Sequence, residues 1–295
     1  MIPTYNPNQV ALVIPTLNAA GWFEHWSKMW RLQRFQPSHC LVMDSSSTDM
    51  TCALFRSLGF EIVNVAQGDF RHGATRQQAV DLLPPEVQAI IFMTQDAILA
   101  DENALLNLVC ALDDPEVAAA YGRQLPHQDA SPVASHARLY NYPEISHTKA
   151  LADKEKLGLK VAFCSNSFAI YRRLALQAVG GFASQLTFGE DMHAAGRLLL
   201  RGWLIKYCAE ARVHHSHNEG LAALWQRYRA IGQFHREEAW LLESFGNVSG
   251  EGKKYALAEM YYALRHAPHW AVISVLHTAT KWLAYRAGVK GGRRV

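Results

Sequence analysis

Short apolar runs alternate with helix-like stretches over the first hundred residues of the chain. Four of the runs, bounded by polar or turn residues, are predicted to be buried strands at 10–14, 40–43, 60–65 and 89–93. The intervening pattern predicts helices at 22–33, 47–58, 75–83 and 102–112. Strands that alternate with helices at this spacing indicate an α/β fold with a mostly parallel sheet flanked by helices.

The second half of the chain is less regular. Residues 123–160 are polar and hold three prolines, so we expect a long excursion over a functional site, helical around 135–140. Further predicted elements are strands at 167–171 and 203–208 and helices at 193–201, 221–242, 255–265 and 270–286, with a Gly/Ser/Lys-rich break at 246–254. We therefore predict a catalytic domain over 1–245 and a helical appendage over 246–295.

Composition excludes several classes of protein. A chain of 295 residues, 49% hydrophobic, is long enough for one large domain and an appendage, and a net charge of +3 gives no reason to expect a nucleic-acid partner. The five cysteines are scattered, which excludes a zinc knuckle and favours reduced thiols in a cytoplasm. No apolar run approaches the roughly 18 residues of a membrane span, so we expect a soluble or peripheral protein.

Polar residues follow three of the predicted strands. They are PTLN at 15–18, DSSSTD at 44–49 and TQD at 94–96. Ligands of parallel sheets bind at the carboxyl ends of the strands, and each of these three segments begins at such an end. Helix caps and turns explain any one of them, but explain three at one edge of a sheet poorly.

Several motifs in this order resemble a known family. The segments VALVIPTLN (10–18), MDSSSTD (43–49), TQDA (94–97) and GED (189–191) are similar to family 2 glycosyltransferases of the GT-A fold. The segments FRHGATR (70–76) and SNSFAIYR (165–172) resemble the rhamnosyltransferase branch, which uses dTDP-L-rhamnose. The resemblance covers residues 8–245 and, more weakly, the C-terminal helices. It implies a GT-A nucleotide-binding sheet and an inverting sugar transfer.

The resemblance also implies where the donor nucleotide binds. The residues expected to contact it are Pro15, Thr16, Asn18, Asp44, Ser46, Arg71 and Gln95. Asp44 can accept a hydrogen bond from a base imide, and Arg71 suits a phosphate as a bidentate donor. A surface ion pair is the alternative role for Arg71. Asn166 and Arg229 are expected to contact the acceptor or the donor sugar.

A divalent metal site is predicted around Asp96. The family often carries Asp-x-Asp, whereas this chain has Thr94-Gln95-Asp96 with one carboxylate. A carboxylate at a strand end suits Mg²⁺ or Mn²⁺, and Asp101 is the better-placed helix cap. His217 and His215 fit a further ligand by position and share one face of an extended segment. Either histidine has a purely structural role as its alternative.

Asp191 and Glu190 are the catalytic candidates. An inverting transfer needs a base that removes the proton of the acceptor hydroxyl, and the resemblance assigns this role to Asp191. Glu190 would cap the helix, orient its neighbour or touch the acceptor. A preference of both acids for a helix N-terminus is the alternative explanation.

The C-terminal helices suggest a surface contact. Residues 268–295 contain no Asp or Glu, but hold Lys281, Arg286, Lys290, Arg293 and Arg294 beside an apolar side with Trp270 and Trp282. Such a helix can lie in an anionic membrane surface, pack on the catalytic domain or form a homodimer.

The function expected from the sequence is transfer of L-rhamnose from dTDP-L-rhamnose to a saccharide or lipid-linked saccharide hydroxyl in surface polysaccharide (O-antigen-like) synthesis. A transferase with a UDP-sugar donor and a non-catalytic nucleotide-sugar-binding protein are the alternatives. A sugar nucleotidyltransferase would need basic residues in the loop after the first strand, and a Rossmann dehydrogenase would need Gly-x-Gly-x-x-Gly there. Residues 15–21 contain neither.

Overall fold

The protein folds around one mixed β-sheet. The computed structural model describes residues 2–246 and 250–291. Its strands in these residues are β1 (Val10–Thr16), β2 (His39–Asp44), β3 (Glu61–Asn64), β4 (Ala89–Met93), β5 (Ile98–Leu99), β6 (Val117–Leu125), β7 (His147–Lys149), β8 (Phe168–Arg172) and β9 (Leu204–His214). They lie in the order β3-β2-β1-β4-β8-β6-β9-β5, and β7 pairs with β9. The first four strands are parallel, as predicted, whereas β8 is antiparallel to both β4 and β6.

Helices follow most of the predicted positions. They are α1 (Ala20–Arg31), α2 (Thr51–Arg56), α3 (His72–Leu82), α4 (Ala104–Cys110), α5 (Pro132–Asn141), α6 (Lys154–Leu157), α7 (Arg173–Ala178), α8 (Glu190–Leu200), α9 (Leu221–Glu237), α10 (Ala239–Phe245), α11 (Glu251–His266) and α12 (Ala271–Lys290). The single helix predicted at 221–242 is in fact two, because Glu238 leaves the helical conformation between α9 and α10. Of the predicted break at 246–254, residues 247–249 lie outside the described residues, and α11 begins at Glu251.

Strand β1 is central and buried on both faces, which explains its unbroken apolar sequence. The sequence predicts that Pro15 ends this strand, but β1 continues to Thr16 beside β2. The pairing of β1 with β4 extends only from Val10 to Val13. Pro15 therefore lies beyond that ladder, where a missing N–H removes no hydrogen bond to β4. The two extra residues, Pro15 and Thr16, place Thr16 at the carboxyl end of the sheet.

Strand β6 was not predicted. Its first four residues are Val117-Ala-Ala-Ala, and alanine favours helices over strands when judged by local propensity. All four are fully buried, because β6 lies between β8 and β9 in the sheet. Burial on both faces, rather than local preference, makes this segment a strand.

The described residues divide into two compact units. The first, which contains residues 2–124, 143–151 and 162–215, holds almost all of the sheet. The second contains residues 125–142, 152–161, 216–246 and 250–291, where α12 packs closely along α9. Gly232 and Gly288 allow that approach, since a Cβ at either would lie 2.2 or 2.1 Å from a backbone oxygen of the other helix. The predicted domain boundary at 245 stays a prediction.

Within the described residues, no helix is both long and apolar enough to cross a membrane.

Candidate active site

The ends of β1 and β2 are joined by a buried carboxylate. Thr16 Oγ1 donates to Asp44 Oδ1 at 2.9 Å, and the amide and hydroxyl of Ser47 donate to the same carboxylate at 2.8 and 2.6 Å. Burial alone would raise the pKa of Asp44, but these hydrogen bonds hold it below its ordinary value. Asp44 is therefore a fixed anion at the carboxyl edge of the sheet, where the sequence predicts the nucleotide.

Two residues beside Asp44 adopt a rare backbone conformation. Asn18 has φ 51° and Ser46 has φ 65°, in the left-handed region that non-glycine residues seldom occupy. Asn18 is held there by hydrogen bonds from its N–H to Ser47 Oγ at 2.8 Å and from the Thr48 N–H to its own Oδ1 at 2.9 Å. Such conformations concentrate at ligand-binding sites, where the surrounding contacts maintain them. Both residues are predicted nucleotide contacts.

The third strand end is tied to the first by Gln95. The Leu17 N–H donates to Gln95 Oε1 at 2.7 Å, and Gln95 Nε2 donates to the Leu17 carbonyl at 3.1 Å. Pro15 lies partly buried in β1, and Arg71 is exposed directly before α3. The structure thus brings the loops after β1, β2 and β4 together in one unit, while the nucleotide contacts themselves remain predictions.

Glu190 and Asp191 begin α8. Gly189 precedes them with φ 76°, a conformation that glycine adopts without the steric cost of a side chain. Glu190 is 5% exposed and contacts Arg76, which is 2% exposed, with 3.0 Å between Arg76 Nη1 and Glu190 Oε1. Asp191 is partly buried and accepts from the N–H of Asn166 at 3.2 Å. The two adjacent acids therefore lie in different environments.

Because of these environments, the two acids differ in their pKa values. Burial would raise the pKa of Glu190, but the Arg76 guanidinium and the nearby His72 hold it below its usual range. Burial, reinforced by the negative charge of Glu190, raises the pKa of Asp191 to about 7. A pair of acids with such divergent pKa values is typical of acid–base sites. A carboxylate with this pKa is matched to taking a proton near neutral pH.

Asn166 donates hydrogen bonds to both acids. Its Nδ2 donates to Glu190 Oε1 at 3.0 Å, its Oδ1 accepts from Tyr171 at 2.8 Å, and it is 2% exposed. Tyr171 also contacts the thiol of Cys164 at 3.4 Å, which adds a third buried polar group to this network. The predicted contact of Asn166 with a sugar stays a prediction, and its observed contacts orient the two carboxylates.

His215, the residue directly after β9, faces Asp96. His215 Nε2 lies 3.4 Å from Asp96 Oδ2, and Nδ1 lies 2.8 Å from Gln124 Oε1. Because Gln124 Nε2 donates to Ser165 Oγ at 2.9 Å, its Oε1 faces the imidazole as an acceptor. Nδ1 is therefore placed to donate to Gln124, and Nε2 is the ring nitrogen that faces the carboxylate. A ring nitrogen and a carboxylate oxygen at this distance can share a proton or a bound cation.

A group that could hold a metal ion is formed by Asp96, His215 and His217, whose ligand atoms all lie within 4.8 Å of one another. A second hydrogen bond that fixes the tautomer of a metal-binding histidine is typical of metal sites, and Gln124 makes one to His215. The donor set of one carboxylate and two imidazoles fits a divalent cation. The sequence did not predict Gln124, because it lies on the unpredicted strand β6.

The other predicted contact, Arg229, is exposed on α9 in the second unit. Arg76 was not predicted as a site residue, although it ends the segment FRHGATR. Its position four residues after His72 on α3 places the two side chains together, with Nη1 3.2 Å from His72 Nδ1.

Comparison with known proteins gives several similarities. The family model described as Glycosyl transferase family group 2 matches residues 89–285. The O-antigen chain rhamnosyltransferase RfbN of Salmonella typhimurium is 42% identical over 281 residues, covering 95% of this chain and 89% of its own. The O-antigen chain rhamnosyltransferase WbaN of Salmonella anatum is 41% identical over 94% of this chain and 88% of its own.

Two solved structures share the fold. The mannosyltransferase PcManGT of Pyrobaculum calidifontis, in complex with GDP-Man and Mn²⁺, has a TM-score of 0.66 at 18% identity, over 97% of this chain and 88% of its own. TarS 1–349 of S. aureus, in complex with UDP-GlcNAc, has a TM-score of 0.55 at 13% identity, over 96% and 90%.

Proposed function

The chain belongs to family group 2 of the glycosyltransferases, and on this basis we propose that it transfers L-rhamnose from dTDP-L-rhamnose to a saccharide hydroxyl of a surface polysaccharide. The membership confirms the family, the GT-A fold and the hexosyltransferase activity that the sequence predicted. The names of RfbN and WbaN support the rhamnosyl donor and an O-antigen acceptor.

The observation that carries the proposed chemistry is the divergence of Glu190 and Asp191. Asp191 takes the proton of the acceptor hydroxyl while that oxygen attacks the anomeric carbon, which inverts the configuration. The bond from that carbon to the diphosphate breaks, and the electron pair leaves with the nucleoside diphosphate. Glu190 stays ionised against Arg76, and its charge keeps Asp191 basic enough for the transfer.

The donor nucleotide is proposed to lie against the ends of β1, β2 and β4. Asp44, held as an anion by Thr16 and Ser47, accepts from the base. Asn18, Ser46 and Gln95 shape the adjoining loops. Neighbours that bind GDP-Man and UDP-GlcNAc with the same fold support a nucleotide sugar in this position.

We assign metal binding to Asp96, His215 and His217. A bound divalent cation would offset the negative charge of the departing diphosphate. The imidazole ligands favour Mn²⁺ over Mg²⁺, and the PcManGT complex contains Mn²⁺. Gln124 holds His215 in the tautomer that binding requires.

A cytoplasmic location is proposed from the thiols. All five cysteines are free, in agreement with a reducing compartment. A lipid-linked saccharide at the inner face of the cytoplasmic membrane would then be the acceptor.

The donor is tested by titration calorimetry of dTDP, UDP and GDP, each with Mn²⁺, Mg²⁺ or chelator. Metal-dependent preference for dTDP is the expected result, and dTDP-L-rhamnose with a saccharide acceptor is then assayed for release of dTDP. Preference for UDP would replace the rhamnosyl donor by a UDP-sugar, the second candidate that the TarS likeness favours. Binding of a donor without any turnover would instead support a non-catalytic binding protein.

A further inference from the structure

Helix α12 turns its apolar side outward. Of the nine exposed positions between residues 272 and 290, seven are apolar and the other two are Arg286 and Lys290. Val272, Leu276 and Leu283 are 69, 49 and 50% exposed, and their spacing of four and seven residues places them along one side of the helix. A soluble helix shows the opposite arrangement, with its apolar side buried.

The inward side of α12 is correspondingly polar. Ser274 and Lys281 contact the two carboxylate oxygens of Glu259 on α11, each at 3.0 Å, and Glu259 is 1% exposed. Lys281 Nζ also lies 4.7 Å from the ring centroid of Tyr255. Lys281, which the sequence groups with the surface cations, is therefore partly buried in an ion pair with a fully buried carboxylate. The polar side chains of α12 that would otherwise face water thus contact α11 instead.

Helix α11 adds a second apolar stripe. Leu257, Tyr261 and Leu264 are 62, 64 and 55% exposed, and they recur at intervals of four and three residues. Rows of exposed apolar side chains on two neighbouring helices are typical of an interaction surface rather than of ordinary solvent exposure. We call the exposed apolar side chains of these stripes, Leu257, Tyr261, Leu264, Leu276, Trp282 and Leu283, the outer face.

The exposed, unpaired charges of α11 and α12 are basic. Of the two carboxylates between residues 250 and 291, Glu259 is buried and Glu251 pairs with Lys160 and Lys254. The exposed charges of the two helices in that range are otherwise basic: Lys253, Lys254, Arg265, Arg286 and Lys290. Arg286 lies over the ring of Trp282, with 4.7 Å between its guanidinium carbon and the ring centroid. Arg293 and Arg294 lie outside the described residues.

We propose that the outer face docks on the surface of an anionic lipid bilayer. Apolar side chains beside a tryptophan and basic residues match the boundary between acyl chains and acidic headgroups. A second copy of the chain would bring two basic surfaces together, and their repulsion disfavours that occupant. The proposal is independent of the sugar that the enzyme transfers, and it would hold the protein where a lipid-linked acceptor lies.

The test is co-sedimentation of the full-length protein with vesicles of phosphatidylglycerol and phosphatidylcholine, or of phosphatidylcholine alone. The wild-type protein is expected to pellet with the anionic vesicles and to be released by salt. Leu276→Glu with Leu283→Glu is expected to abolish pelleting. Leu174→Glu is the matched control, because Leu174 is 75% exposed on α7, which belongs to the other compact unit, and its replacement should leave pelleting unchanged.

A milder pair tests the charges and leaves every apolar side chain of the outer face in place. Arg286→Gln with Lys290→Gln is expected to lower vesicle affinity about 30-fold, roughly fivefold for each charge, with an unchanged melting temperature. A wild-type protein that stays in the supernatant with anionic vesicles would overturn the proposal. A dimer that the two glutamates convert to a monomer, without vesicle binding by the wild type, would assign the outer face to a second copy instead.

Discussion

Glu190→Gln should separate the structural and catalytic roles of the buried acid. The replacement keeps the shape of the side chain and removes its charge, so Arg76 loses the anion that neutralises it. Asp191 loses the neighbouring negative charge that contributes to its raised pKa, and it then faces an unopposed guanidinium. Both changes favour the ionised form of Asp191.

The magnitudes follow from burial. Arg76 and Glu190 have side chains only 3 and 6% exposed, and removing one partner of a buried ion pair costs about 3–5 kcal/mol of unfolding free energy. The pKa of Asp191, about 7 in the wild type, should fall by roughly one unit or more. The variant should therefore be less stable than the wild type. It should retain activity to a lower pH, because Asp191 stays ionised there. Its maximal rate should be lower, because Asp191 is then a weaker base.

The assay combines urea unfolding at pH 7.5 with the pH dependence of kcat/KM between pH 5 and 9. A double-mutant cycle with Arg76→Met isolates the pair, since the double variant should lose less stability than the sum of the two single variants. Glu102→Gln is the control, because Glu102 forms an exposed ion pair with Arg34. Additive stability losses, or an acid limb that does not move, would refute the coupling of Glu190 to Asp191.

Two further predictions follow from the site. Asp191→Asn should stabilise the protein at pH 8 by up to about 4 kcal/mol and much less at pH 5. The reason is that the pKa of this carboxyl rises from 3.8 to about 7 on folding, so its ionisation destabilises the folded state increasingly as pH rises through that interval. Thermal unfolding of the variant and the wild type at both pH values measures the difference in stability. An equal difference at pH 5 and pH 8 would contradict the prediction. Gln124→Leu should lower Mn²⁺ affinity roughly 10–100-fold by freeing the His215 tautomer. Calorimetry measures this against His147→Ala as an exposed control, and unchanged affinity would exclude the orienting role.

The sequence predicted the parallel half of the sheet because that half is built from local patterns. Strand β4 has the predicted bounds, since its five buried residues form a simple apolar run. The strands β6 and β8 join the sheet through antiparallel pairings over long sequence separations, which no local pattern encodes. The alanines of β6 are an example, because they form a strand only through their pairing within the folded sheet.

The candidate site divides in the same way. Asp96 lies in the turn after β4, and Glu190 and Asp191 begin α8, so all three follow a recognisable element boundary in the sequence. Arg76 and Gln124 lie within a helix and a strand, and their importance depends on partners that are 114 and 91 residues away, Glu190 and His215. Such contacts arise only when the chain folds, so the sequence alone gave no reason to choose them.

The central claim is tested most directly by the rate of rhamnose transfer from dTDP-L-rhamnose by the wild type and by Asp191→Asn, with dTDP affinity measured on both. The variant should bind dTDP with Mn²⁺ as the wild type does and transfer sugar at least roughly 10²-fold more slowly, because its amide cannot take the acceptor proton. Transfer by the variant at the wild-type rate would contradict the account.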